Sequence, residues 1–150
     1  MCMELILTKL IIAIISFLGL IIGIALYRLT YEEIEIIKPY ISWTEVLLIA
    51  GLAFYNIYNS VIYGIILLVF LIIYTRYKED YISYIFLGLV IALSFNKEMI
   101  FVNGFMIFCL SVIRGTFIDY EKRNFKKLLL KMLPFVLISV IPITTLISQV

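Results

Sequence analysis

Glu32, Glu33 and Glu35 form the densest acidic group in the chain. Carboxylates at that spacing could hold a cation or share acid–base work. Arg28 and Lys38 flank them, however. On a helix, Ile34, Ile37 and Ile41 share one side and the three glutamates do not, so a solvated charged face is the expected reading. Four asparagines form the second candidate group. Asn56 and Asn59 fall in one apolar stretch; Asn96 stands in the Asn96-Lys-Glu98 break between two later apolar runs, and Asn103 lies in the second of them. Together they could line a small polar vestibule; the plainer expectation is helix capping plus one hydrogen bond between helices. A third group is basic. Lys122, Arg123, Lys126, Lys127 and Lys131 lie between two apolar runs. Such a juxtamembrane cluster meets anionic lipid head groups, at about 1 kcal/mol per residue. A docking patch for a soluble partner is the alternative.

Enzyme chemistry finds little purchase. The chain has no histidine, which removes the commonest general base and metal ligand, and with them HExxH zinc chemistry and any serine–histidine pair. Asp80 and Asp119 stand in charged loops, which does not suit a paired intramembrane aspartyl site. Cys2 and Cys109 suggest neither a disulfide framework nor a metal centre. No phosphate-binding glycine loop is present. No catalytic residue, metal or cofactor is assigned.

The elements that must position these residues are set by composition. The chain is 65% hydrophobic and 15% charged, against about 45–50% and about 25% in soluble domains. A water-soluble fold could not hide that much apolar surface, whereas lipid serves as its solvent. The sequence therefore predicts an all-α, polytopic transmembrane helix bundle over residues 1–150, in the cell membrane, with about six spans. Of twelve Lys and Arg, six lie from Arg114 to Lys131. That stretch reads as a cytoplasmic connector at the membrane edge, not as a nucleic-acid face.

The first span is the apolar run Leu10–Leu26, preceded by Leu5–Thr8. It runs too long for a usual signal-peptide core and no small-x-small site follows, so it reads as retained. Ser16, Gly19 and Gly23 share one helical face and include a GxxxG. Such faces let backbones approach closely, and packing against another helix of the same chain is expected. Thr30-Tyr-Glu-Glu33 has capping-box spacing and predicts a short interfacial helix that Pro39 ends. Ser42-Trp-Thr-Glu45 is a second capping box before the next apolar run, with Tyr40 and Trp43 placed as interfacial aromatics. From Val46 to Tyr74 there is no charge, a length of about 44 Å against a core of about 30 Å. The polar Tyr55–Ser60 stretch splits it into two spans; one long helix gives five spans instead. Tyr81–Phe95 and Met99–Ile113 are each thin for a full span, unless the bilayer thins or the pair is partly re-entrant. Asn96 is placed to cap the second of them, and Gly115 to end it. Met132–Val150 is a last span containing Pro134 and Pro142. Tyr55-Asn56 and Phe95-Asn96, each followed eight residues later by glycine, hint at a duplicated hairpin.

With six spans, ten Lys and Arg face one side, and Lys9 and Lys97 the other. That asymmetry puts both ends of the chain outside; five spans put the amino end inside. No charge is expected deep within a span, which argues against a proton-coupled carrier acting alone.

Tyr31-Glu-Glu-Ile34 followed by Lys38-Pro-Tyr40, and Ile107-Phe108 leading to Arg114-Gly-Thr116, give an order of features that resembles small, uncharacterised archaeal multi-pass membrane proteins. In that group a Gly-Leu-Pro stretch precedes the final Gly-Thr; here the positions read Ser111-Val-Ile113. The resemblance implies a multi-pass bundle and no particular activity. The functional expectation is a non-enzymatic accessory or structural subunit, with membrane lipid and further membrane subunits or copies of itself as partners. An oligomeric small-solute channel or permease around the asparagines is the alternative. A lipid enzyme using surface Glu and Lys comes third.

Overall fold

The computed structural model describes residues 2–76, 80–116 and 125–140. They form six α-helices and, among the described residues, no strand. These are α1 (Cys2–Leu29), α2 (Tyr31–Asn59), α3 (Val61–Arg76), α4 (Asp80–Leu93), α5 (Lys97–Thr116) and α6 (Phe125–Val140). Among the described residues, three stretches are long and apolar enough to cross a membrane: Glu4–Leu29, Pro39–Asn59 and Lys97–Thr116. Tyr84–Leu93 is a shorter apolar helix.

The centre of the fold is α1 against α5, running parallel. Glu4 meets Lys97, Ser16 meets Gly104, and Gly19 and Gly23 meet Phe108 and Val112. The pairing is close because Gly19, Gly23 and Gly115 each place main chain against main chain of the other helix. A Cβ on Gly19 would lie 2.7 Å from the Phe108 carbonyl oxygen, and one on Gly115 would lie 2.5 Å from that of Leu20. α2 runs antiparallel to α5, with Glu45 at Arg114 and Asn56 at Asn103. α4 is also antiparallel to α5, since Ser94 meets Asn103 and Tyr84 lies under Arg114. Tyr63 at the start of α3 meets Phe95 just beyond α4, their ring centroids 6.1 Å apart. α6 packs on α4 where Gly88 approaches Phe135.

Apolar side chains lie both inside and outside: Ile12, Leu20, Leu52, Ile91, Ile107 and Phe135 form a buried core. Ile14, Leu18, Leu47, Phe54, Ile62 and Phe105 face outward. Ser16, Asn56, Ser94, Asn103 and Ser111 are buried, together with Lys9. Among the described residues no buried side-chain nitrogen or oxygen lacks a hydrogen-bond partner. Such an interior is tolerable in a low-dielectric surrounding because each polar group is paired.

The helices correct the sequence reading in several places. Pro39 does not end a separate interfacial helix; α2 is continuous through it for 29 residues. A proline removes one backbone donor and crowds the preceding turn, which bends a helix without ending it when both flanks stay helical. Thr30 stands at the N-cap position of α2, which starts at Tyr31 as the capping-box spacing implies, but it makes no side-chain cap bond; its hydroxyl donates to the Leu26 carbonyl at 2.8 Å. Ser42 lies inside α2. Gly115 does not end α5, which continues to Thr116. Gly115 is needed for close approach instead, and no described glycine has a positive φ. The stretch from Arg114 to Lys131 is not all connector, since Arg114 belongs to α5 and α6 starts at Phe125. The break expected near Tyr55–Ser60 is present. Ser60 is extended, and α2 and α3 are separate helices.

Candidate functional site: a buried polar seam between α1, α2, α4 and α5

Asn56 and Asn103 face each other from antiparallel helices and form a reciprocal amide pair. The Asn56 Nδ2 donates to Asn103 Oδ1 at 2.9 Å, and the Asn103 Nδ2 donates to Asn56 Oδ1 at 3.2 Å. Each amide has a second donor to place. Asn56 gives its own to the Leu52 carbonyl at 2.8 Å, and Asn103 gives its own to Ser94 Oγ at 2.9 Å. Ser94 passes its proton to the Val90 carbonyl at 2.9 Å. The network is closed: both amides use both N–H groups, and each amide oxygen accepts from its partner. All three side chains are buried.

The other two asparagines make local bonds. Asn59 donates to the Tyr55 carbonyl at 2.9 Å, within its own helix. Asn96 accepts from the Met99 backbone N–H at 2.7 Å, the geometry of an N-cap on α5. The structure thus brings Asn56 and Asn103 together and leaves Asn59 and Asn96 apart from them. Asn56 lies inside a helix and Asn96 between two helices, so they are not equivalent positions of a repeat.

The small-residue face of α1 is used inside the chain. Ser16 donates to the Gly104 carbonyl at 3.2 Å, and a Cβ on Gly23 would lie 2.8 Å from the Gly115 Cα. Glu32 and Glu33 are exposed. In the basic cluster, Lys126, Lys127 and Lys131 belong to α6, whereas Lys122 and Arg123 lie outside the described residues.

Two charged sites were not anticipated. Lys9 is not a loop residue; it lies inside α1 at 1% exposure. Its Nζ donates to the Ala92 carbonyl at 2.7 Å, near the C-terminal end of α4. The signal available in the sequence was its position, one turn and more inside a helix that starts at Cys2. Near the opposite end, Arg114 Nε pairs with Glu45 Oε1 at 3.2 Å, with side chains 15% and 20% exposed. The guanidinium carbon stands 5.9 Å from the centre of the Tyr84 ring, within cation–π range. One residue thereby ties α2, α4 and α5 together. Lys97 and Glu4 form a 2.8 Å pair in the open, where it contributes little.

Chemically, this seam joins helices. Among the described residues no three His, Cys, Asp or Glu side chains stand close enough to hold a metal ion. Comparison of the chain with protein-family models, with curated proteins and with solved structures gave no match.

Proposed function

We propose that the chain is a six-span integral protein of the cell membrane, with both ends outside, that serves as a non-enzymatic accessory or structural subunit. The observation that carries the reading is the apolar exterior. Apolar side chains cover the outside of the described helices, while the buried polar atoms are spent on one another. The up-and-down order of α1 to α5 agrees with it. So does the placing of Lys9 and Lys97 at one end, away from Arg28 and Arg114. The partners are membrane lipid, further copies or other membrane subunits; Lys122, Arg123, Lys126, Lys127 and Lys131 serve lipid head groups on the cytoplasmic side. Because α5 already covers Ser16, Gly19 and Gly23, a partner subunit meets other faces of the bundle.

The channel reading has less support. Its best residues, Asn56 and Asn103, satisfy each other and leave no free amide for a lumen.

Two experiments test the proposal. After removal of Cys2 and Cys109, single cysteines at Asn59 and Lys97 are expected to react with an impermeant reagent on intact cells, and those at Lys78 and Lys127 to stay dark. Labelling at Lys78 or Lys127 rejects the topology. Gentle extraction from native membranes is expected to recover the chain with other membrane subunits or as an oligomer. A strictly monomeric protein that copurifies with nothing rejects the subunit role.

A further inference from the structure

A helix end below the membrane surface leaves carbonyls that water cannot reach. The last carbonyls of α4 have no partners within the helix, and Ala92 is buried. Three donors close this end. The Ser94 N–H bonds the Ile91 carbonyl at 3.2 Å, and the Ser94 hydroxyl bonds that of Val90 at 2.9 Å. The third donor is Lys9, reaching the Ala92 carbonyl from 83 positions earlier in the chain. A helix C-terminus carries roughly half a negative charge. In membrane proteins with broken helices, such ends and unwound carbonyls coordinate small cations.

We propose that the C-terminal end of α4 is a monovalent-cation site which the chain fills with its own primary ammonium, Lys9. The lysine is a tethered ion, carried in by α1 and fixed when α1 packs on α4 and α5. Two features distinguish it from a lysine reaching outward along the helix surface. Its side chain is buried throughout, and it donates to a main-chain carbonyl at a helix end. The site is also wired to the seam, since Ser94 accepts from Asn103. Lys9 lies five residues inside Glu4, about 7.5 Å along the helix, and Glu4 with Lys97 forms the exposed rim. The depth of the site below the bilayer surface rests on the membrane reading above; the affinity for an ammonium group does not.

The test is chemical rescue in the purified full-length chain in detergent micelles. K9A removes three carbons and the nitrogen, the volume of propylammonium. The unfolding equilibrium constant is expected to rise at least tenfold, and propylammonium is expected to reverse most of the loss. Tetramethylammonium, which has the charge but no N–H, and 1-propanol, which lacks the charge, are expected to leave it unchanged. K9M refills the apolar shaft without the ammonium, and is expected to stay destabilised and ignore propylammonium. No recovery with propylammonium, or equal recovery with either control compound, overturns the proposal. So does a K9M protein as stable as the wild type. Should K9A not fold, reductive methylation of the wild-type protein gives the answer. Lys97 is expected to react at once and Lys9 only on unfolding; equal rates overturn the proposal. These readouts hold in micelles whatever the number of spans, so a failed rescue and a failed topology are told apart.

Discussion

Replacing Gly23 with alanine adds one methyl group where two backbones come closest. The new carbon would stand 2.8 Å from the Gly115 Cα and 2.9 Å from the Val112 carbonyl carbon, with the Val112 oxygen nearer still. These are main-chain atoms, so no rotamer change relieves the contact. Carbon atoms rest about 3.5–4.0 Å apart, so α1 and α5 must separate by roughly 1 Å, taking the ordinary contact distance as the target. The same movement stretches the Ser16–Gly104 hydrogen bond, already 3.2 Å long, out of bonding range. Overpacking costs about 1–3 kcal/mol, the lost bond about 1 kcal/mol, and better helix propensity returns at most about 1 kcal/mol. The expected net loss is about 1–3 kcal/mol, a rise of roughly 5- to 150-fold in the unfolding equilibrium constant. Gly51→Ala is the matched control. Its added carbon would find only the Met106 methyl, at 3.9 Å, so alanine there is expected to stabilise by about 0.5–1 kcal/mol. Reversible unfolding in mixed micelles, followed by circular dichroism, reads both variants. A Gly23→Ala protein as stable as the wild type, or stabilised like Gly51→Ala, would refute the close-packing argument.

Asn103→Ala leaves the Asn56 amide and the Ser94 hydroxyl short of a partner, and is expected to cost about 2–3 kcal/mol in the same assay. Replacing Asn56 and Asn103 together by leucine is expected to lose less than the single change, because no polar atom of the pair is left unmatched; a larger loss would show that the pair contributes more than mutual satisfaction. Arg114→Met removes the arginine from the mostly enclosed Glu45 carboxylate and is expected to cost about 2–3 kcal/mol, below the ~3–5 kcal/mol of a fully buried pair. Adding Glu45→Gln to it is expected to recover part of that loss, as a double-mutant cycle would read. Lys97→Ala removes an exposed pair and is expected to change stability by less than about 0.5 kcal/mol, with no change in labelling pattern.

The helical class was legible in the sequence because apolar runs of this length have few other solutions. The break at Ser60 was legible because two asparagines and two tyrosines within six residues interrupt an otherwise apolar stretch. Asn96 could be read as a cap because its acceptor needs only the backbone three residues on. Partners distant in sequence could not be read this way. Nothing near Lys9 names Ala92, and nothing near Asn56 names Asn103, because helix spacing shows which face a residue takes but not which helix meets it. Gly115 was misread for a related reason. Glycine serves both helix ends and close contacts, and only the arrival of Gly23 from α1 decides between them. Pro39 misled because a proline's local cost does not reveal whether its flanks stay helical.

The parallel pairing of α1 with α5 sets an order of events during synthesis. Lys9 and its acceptor are 83 residues apart, and the glycine seam of α1 closes only on residues from Gly104 to Gly115. Chains grow at about 5–20 residues per second, so α1 waits roughly 4–17 s with a charged group and a bare backbone stripe uncovered, counting those 83 residues at that rate. Over that interval α1 depends on whatever machinery shelters it. The α1–α5 seam therefore closes late, and a slowdown of translation before α5 would lengthen the time in which α1 can be lost to misassembly or degradation.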